Sequence, residues 1–138
     1  MIGKQQLRWM RTDELPMRWG DMDVLGHMNN VAYFRYFEQA RISWFDSVGI
    51  HFRAGAQAPV LGTISCKFIK AAVYPVTFSV STYAGQAGRK SFVMLHELID
   101  RADPRTVFAE AHATMVWIDL SDGRSRALPD WLRTTIQP

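Results

Sequence analysis

One cysteine, Cys66, stands in the 138 residues, so the chain can form neither an internal disulfide nor a multi-cysteine metal site. That usage fits a reducing compartment, and a cytoplasmic location is expected. Long apolar runs are missing too. The first segment, Met1 to Asp13, mixes Lys4, Arg8 and Arg11 with Trp9 and reads as neither a secretory signal nor a membrane span. The four histidines, His27, His51, His96 and His112, are scattered without metal-ligand spacing, so no metal and no cofactor is expected. No dense Lys/Arg block occurs. The net charge of +3 is spread along the chain, which argues against nucleic acid and suits a small phosphorylated molecule held by a few cations. Internal repeats and low-complexity segments are absent. What remains is a 48% hydrophobic composition, enough for one packed core, and a single domain over residues 1–138 is expected.

The most informative stretch is Gly20-Asp21-Met22-Asp23-Val24-Leu25-Gly26-His27-Met28-Asn29-Asn30. It sets two carboxylates and a histidine just before an apolar helical pattern running from Val31 to Val48. The first N–H groups of a helix have no internal partner and carry the positive end of its macrodipole, so they can hold an oxyanion. A carboxylate beside them is placed as base or nucleophile towards a carbonyl whose oxygen they bind. That is the logic of acyl transfer, and it suggests hydrolysis.

Periodicity supplies the frame. Leu15, Met17 and Trp19 alternate with Arg18 over Glu14 to Trp19, the pattern of a strand made irregular by Pro16. Tyr33, Phe37, Ala40, Trp44 and Val48 recur at three- and four-residue spacing after an Asn29 or Asn30 cap, and Gly49 ends the helix. Phe34 and Phe45 broaden the apolar stripe. From there the period is two: Val60 to Ile69, Val76 to Ala84, Ser91 to Arg101 and Val107 to Leu120 read as strands. Leu128 to Leu132 reads as a short terminal helix with Pro129 near its start. The fold class is therefore α+β, a long antiparallel sheet whose twist curls it around one central helix.

A strand, then Asp-x-Asp-x-x-Gly-His-x-Asn-Asn, then a Tyr-x-x-Tyr-Phe-Glu-x-Ala-Arg helix, then four long strands resembles the hot dog fold acyl-CoA thioesterases of the 4-hydroxybenzoyl-CoA thioesterase-like family. The specific part runs from Arg18 to Arg41, and strand spacing extends the likeness to about Trp131. The resemblance implies hydrolysis of an acyl-CoA, or an acyl carrier protein thioester, to a free acid and the thiol. It implies Asp23 as the catalytic carboxylate and backbone N–H groups from Asn29, Asn30 and Val31 as the oxyanion site. It also implies a homodimer or homotetramer with sites between subunits. A hydratase or dehydratase on the same fold, or a non-catalytic acyl-thioester binding protein, are the alternatives.

The remaining candidates follow from chemistry at their positions. His27, grouped with Asp23, would orient that carboxylate, contact the thioester or satisfy the loop. Asp21 is assigned to backbone hydrogen bonds in the turn. Resemblance to the other main hot dog thioesterase lineage, which places a helix carboxylate at about this region, implies Glu38 as the reserve base; otherwise it is solvated or pairs with Arg35 or Arg41 on the helix surface. Arg89, Lys90 and Ser91, after a Gly-rich turn, either bind the phosphates of coenzyme A or form a solvated turn.

Overall fold

Side chains that alternate in strands and recur every three to four positions in a helix can share one core only if the sheet lays its apolar face on the helix's apolar stripe. A computed structural model, which describes residues 2–137, shows that arrangement. Chain order is a 3-10 turn (Lys4–Gln6), β1 (Arg8–Pro16), a second 3-10 turn (Trp19–Asp21), α1 (Asn30–Ser47), β2 (Gln57–Phe68), β3 (Thr77–Gly85), β4 (Ser91–Asp100), β5 (Asp103–Asp119) and α2 (Asp130–Ile136). The five strands form one sheet in the order β1-β3-β4-β5-β2, and every pairing is antiparallel. This is the hot dog arrangement, α+β, with α1 against the sheet.

Inward positions explain the packing. Phe78 and Val80 on β3, Phe92, Met94 and Leu98 on β4, and Ala109, Ala111, Ala113 and Met115 on β5 are buried on the face that meets α1. Their apolar partners are Tyr33, Phe37, Ala40 and Trp44 of the helix. Burying a side chain such as Phe37 contributes about 1.5–3 kcal/mol. The small β5 alanines leave room for the helix's large rings.

The core divides in two. One cluster gathers Tyr33, Phe37, Phe78 and Phe108 at the N-terminal half of α1. The other gathers Trp44, Phe45, Phe92, Met115, Leu132 and Ile136 at its C-terminal half. Between them, at one level of the sheet, Thr82 pairs with His96 and His96 with Ala111.

The early strand differs from expectation. It occupies Arg8–Pro16 rather than Glu14 to Trp19, and Trp19 lies exposed in the 3-10 turn. The reason is position: β1 is an edge strand, so Arg8, Arg11 and Asp13 can sit in it without an apolar alternation. β5 begins at Asp103, four residues before the expected Val107. No described helix is long and apolar enough to cross a membrane.

Candidate active site

Asn29 determines where α1 begins. Its Oδ1 accepts the Val31 N–H at 2.9 Å, satisfying one of the donors a helix start leaves unpaired. Its carbonyl accepts the Ala32 N–H at 2.9 Å, and its own N–H donates to the Asp21 carbonyl at 2.8 Å. Two of the three expected oxyanion donors, Asn29 and Val31, are thus occupied by the cap. The third, the Asn30 N–H, meets no acceptor among the described residues.

Asp23 lies half-buried in a loop closed by a bridge between Met22 and Met28. Its N–H donates to the His27 carbonyl at 2.9 Å, and its carbonyl accepts the Gly26 N–H at 3.1 Å. Gly26 has φ +78°, a conformation that glycine alone adopts without strain. The Asp23 side chain is oriented by one oxygen, Oδ1, which accepts the Leu25 N–H at 2.9 Å. Oδ2 has no protein partner among the described residues. His27 touches Asp23 only through its backbone. Its ring is exposed and makes no hydrogen bond among the described residues, so the expected orienting contact is not formed.

Asp21 is engaged differently. The Tyr36 hydroxyl donates to its Oδ2 at 2.5 Å, and the Arg18 N–H donates to that hydroxyl at 3.0 Å. Burial first, and the Asp21 carboxylate second, hold the Tyr36 phenol above its ordinary pKa, so it remains a donor. Tyr36 thereby ties α1 to the turn preceding the loop. A cleft of about 350 Å³ opens here against Asp21, Asn29, Val31 and Arg35, with Asp23 and Asn30 outside its wall.

The phosphate candidates lie elsewhere. Lys90 Nζ donates to Ser125 Oγ at 3.3 Å, Arg89 is exposed, and Ser91 opens β4. The turn before them leaves the sheet beside the C-terminal cluster, whereas Asn30 is at the opposite end of α1. β3 spans the two ends with nine residues, about 30 Å at ~3.3 Å per residue. One chain does not bring Arg89, Lys90 and Ser91 to Asp23.

Two further groups escaped the sequence reading. Arg41, counted among the helix surface charges, is buried, and its Nη1 has no partner. Its spacing from Phe37 and Trp44 is the signal that put it on the apolar stripe. His96 takes an inward position between Met94 and Leu98 and is fully buried; its Nδ1 meets Thr82 Oγ1 at 3.1 Å and its ring stacks on Phe37. Burial first, and the Arg41 charge second, pull its pKa down to about 3. Cys66 offers no nucleophile, since burial pushes its thiol up to about 11. No group of three or more metal-ligating side chains occurs among the described residues.

Glu38 is exposed and makes a loose pair with Arg35, Nη1 to Oε1 3.7 Å.

Comparison with known proteins bears on this geometry. The family model described as Thioesterase-like superfamily matches residues 17–136. The PA2801 protein of Pseudomonas aeruginosa, provisionally described as a thioesterase, is 38% identical, with 92% of this chain and 98% of that one superposed at a TM-score of 0.86. A Xanthomonas campestris protein, provisionally described as an acyl-CoA thioesterase, is 28% identical over 86% of this chain and 100% of that one, TM-score 0.72. The 1,4-dihydroxy-2-naphthoyl-CoA thioesterase of Synechocystis shares the fold at 22% identity, TM-score 0.79, over 90% and 93% of the two chains.

Proposed function

The chain belongs to the thioesterase-like superfamily, and from that premise we propose that it hydrolyses an acyl-CoA thioester to a free carboxylic acid and coenzyme A. Asp23 acts as base or nucleophile, and the Asn30 N–H binds the oxyanion. One observation carries the reading: a carboxylate with a free Oδ2 and an unoccupied N–H at a helix start stand seven positions apart on one capped loop. The acyl-CoA thioesterase description of the Xanthomonas campestris relative supports the substrate class.

With the thioester oxygen on the Asn30 N–H, negative charge develops at the positive end of the α1 dipole as the carbon becomes tetrahedral. In the base route, Asp23 takes a proton from water while the hydroxyl adds to the carbonyl carbon. The C–S bond then breaks, and the departing thiolate takes that proton back from Asp23. In the nucleophile route, Oδ2 itself adds, thiolate leaves a mixed anhydride, and water cleaves it.

The site is completed by a second copy. β2 and β1 are both edges of the sheet, yet β1 carries Arg8, Arg11, Asp13 and Glu14, whereas Lys67 is the one charged residue in β2. An edge without charges pairs readily with its own kind. Antiparallel pairing there would turn the 89–91 segment of one copy towards the Asp23 end of the other, supplying the phosphate contacts that one chain keeps about 30 Å away.

Thiol release from a panel of short, long and aromatic acyl-CoAs tests the reading. Asp23→Asn is expected to lower kcat by about 10²–10⁴ with the fold intact. Wild-type rates in that variant would remove Asp23 from the chemistry. In single-turnover hydrolysis in isotopically labelled water, label recovered in Asp23 identifies the nucleophile route with water opening the anhydride at the Asp23 carboxyl carbon.

A further inference from the structure

Another cleft, of about 310 Å³, opens at the C-terminal end of α1, between the loop that follows it and the start of α2. Its walls include His51, Arg53, Gln57, Trp117, Pro129 and Trp131. Trp117 is the fixed wall: it is 3% exposed, and its Nε1–H donates to Gln57 Oε1 at 2.7 Å. Trp131 stands against it edge to face, ring centroids 6.4 Å apart, and yet keeps 45% of its surface in water. An indole packed on a rigid neighbour with so much apolar surface uncovered is a platform on which a flat ring can stack.

The charges around the cleft suit an anion. Exposed Arg53 and Arg89 enter no ion pair among the described residues, whereas Arg126 is taken by Asp122 at 2.7 Å. Asp119 accepts the Ser121 N–H at 2.8 Å, and Asp130 lies in the first turn of α2. The cleft also adjoins the phosphate candidates through backbone bonds. The Trp117 N–H donates to the Lys90 carbonyl at 2.8 Å, and the N–H of Leu128, next to Pro129, donates to the Arg89 carbonyl at 2.9 Å. A phosphate on the 89–91 segment therefore has the two indoles beside it. Asn30, at the other end of the 18-residue helix, is about 27 Å away in the same chain, so the cleft does not hold the acyl group of that chain's own site.

From this juxtaposition we infer that the cleft binds a purine base, the adenine of the coenzyme A whose phosphates meet Arg89 and Lys90, stacked on Trp131 with Arg53 beside its ribose phosphate. The inference rests on the acyl-CoA reading above. Trp131 then serves binding alone, since the base takes no part in cleavage of the thioester.

The test compares one acyl group carried on coenzyme A and on pantetheine, which presents the same thioester without the nucleotide. Trp131→Leu is expected to raise KM for the acyl-CoA about tenfold with kcat unchanged, the usual effect of losing one stacked base, and to leave kcat/KM for the acyl-pantetheine as in wild type. Trp131→Phe keeps a ring and is expected to recover most of the loss. Equal losses on both carriers, or none on either, overturn the inference. Because Leu132 and Ile136 of the same helix are core residues, a second measurement uses the wild-type protein. ADP is expected to quench indole fluorescence in wild type and not in Trp131→Phe, and pyrophosphate alone to leave it unchanged. No quenching by ADP, or equal quenching by pyrophosphate, overturns the base site. Absence of thiol release from every acyl-CoA removes the acyl-CoA reading itself, an outcome distinct from release that is indifferent to Trp131.

Discussion

His96 is neutral in the folded protein, its pKa near 3 against 6.5 for the ordinary side chain. The unfolded chain therefore takes up a proton below about pH 6.5 that the folded chain refuses until about pH 3. The stability associated with this group is present above pH 6.5 and is lost as pH falls through that window, by up to about 1.4 kcal/mol per pH unit. His96→Gln is expected to flatten the fall of the melting temperature between pH 7 and about pH 4, measured by circular dichroism against wild type; parallel curves would mean that His96 is charged in the fold. At the same scale, Tyr36→Phe deletes the donor to Asp21 and leaves a half-buried carboxylate short of a partner. A loss of about 1.5–3 kcal/mol in denaturant unfolding is expected. Neither residue was legible as a partner in the sequence. A histidine and a tyrosine on apolar stripes look like core filling until the group across the gap is known.

Helix α1 was legible almost to the residue, because its ends carry local chemistry. Asn29 caps it, Val48 closes it, and Gly49 follows with φ +83°. The cap holds the loop as well as the helix, since Asn29 receives Val31 and donates to Asp21. Asn29→Ala should cost about 1 kcal/mol, and Asn29→Gly only a few tenths; equal losses would show that the side chain does not cap. The strands from β2 onward matched their alternation to within a few residues, while β1 did not. A strand with one free edge and charged side chains lacks the pattern by which strands are recognised, and Pro16 at its end reinforces the misreading. The helix dipole gave reason to expect oxyanion donors at Asn29, Asn30 and Val31. Which one is free depended on where the cap's own hydrogen bonds go.

For the whole molecule, the proposed two-copy site is tested by complementation. If coenzyme A phosphates bind Arg89 of one copy while Asp23 of the other acts on the thioester, defects at the two positions complement each other. Equal amounts of Asp23→Asn and Arg89→Ala, unfolded and refolded together, should recover about a quarter of wild-type turnover at limiting substrate, since about half the dimers are mixed and each holds one intact site. No recovery would place both contributions in the same chain. Arg89→Ala alone is expected to raise KM several-fold with kcat little changed, as for a contact made equally in ground and transition states.

The sequence by itself determined the class of fold, the span of the helix, the inward and outward faces of four strands, and the loop on which Asp23 and Asn30 are set. These follow from periodicity, capping and turn chemistry, which act between residues close in the chain. Tertiary structure decided that β2 pairs with β5, that Asp21 is held by Tyr36 while Asp23 keeps an oxygen free, that Arg41 and His96 are buried, and that the 89–91 turn lies far from Asp23. Each of these depends on residues separated by many positions, whose meeting is fixed by how the sheet closes on the helix rather than by any local preference.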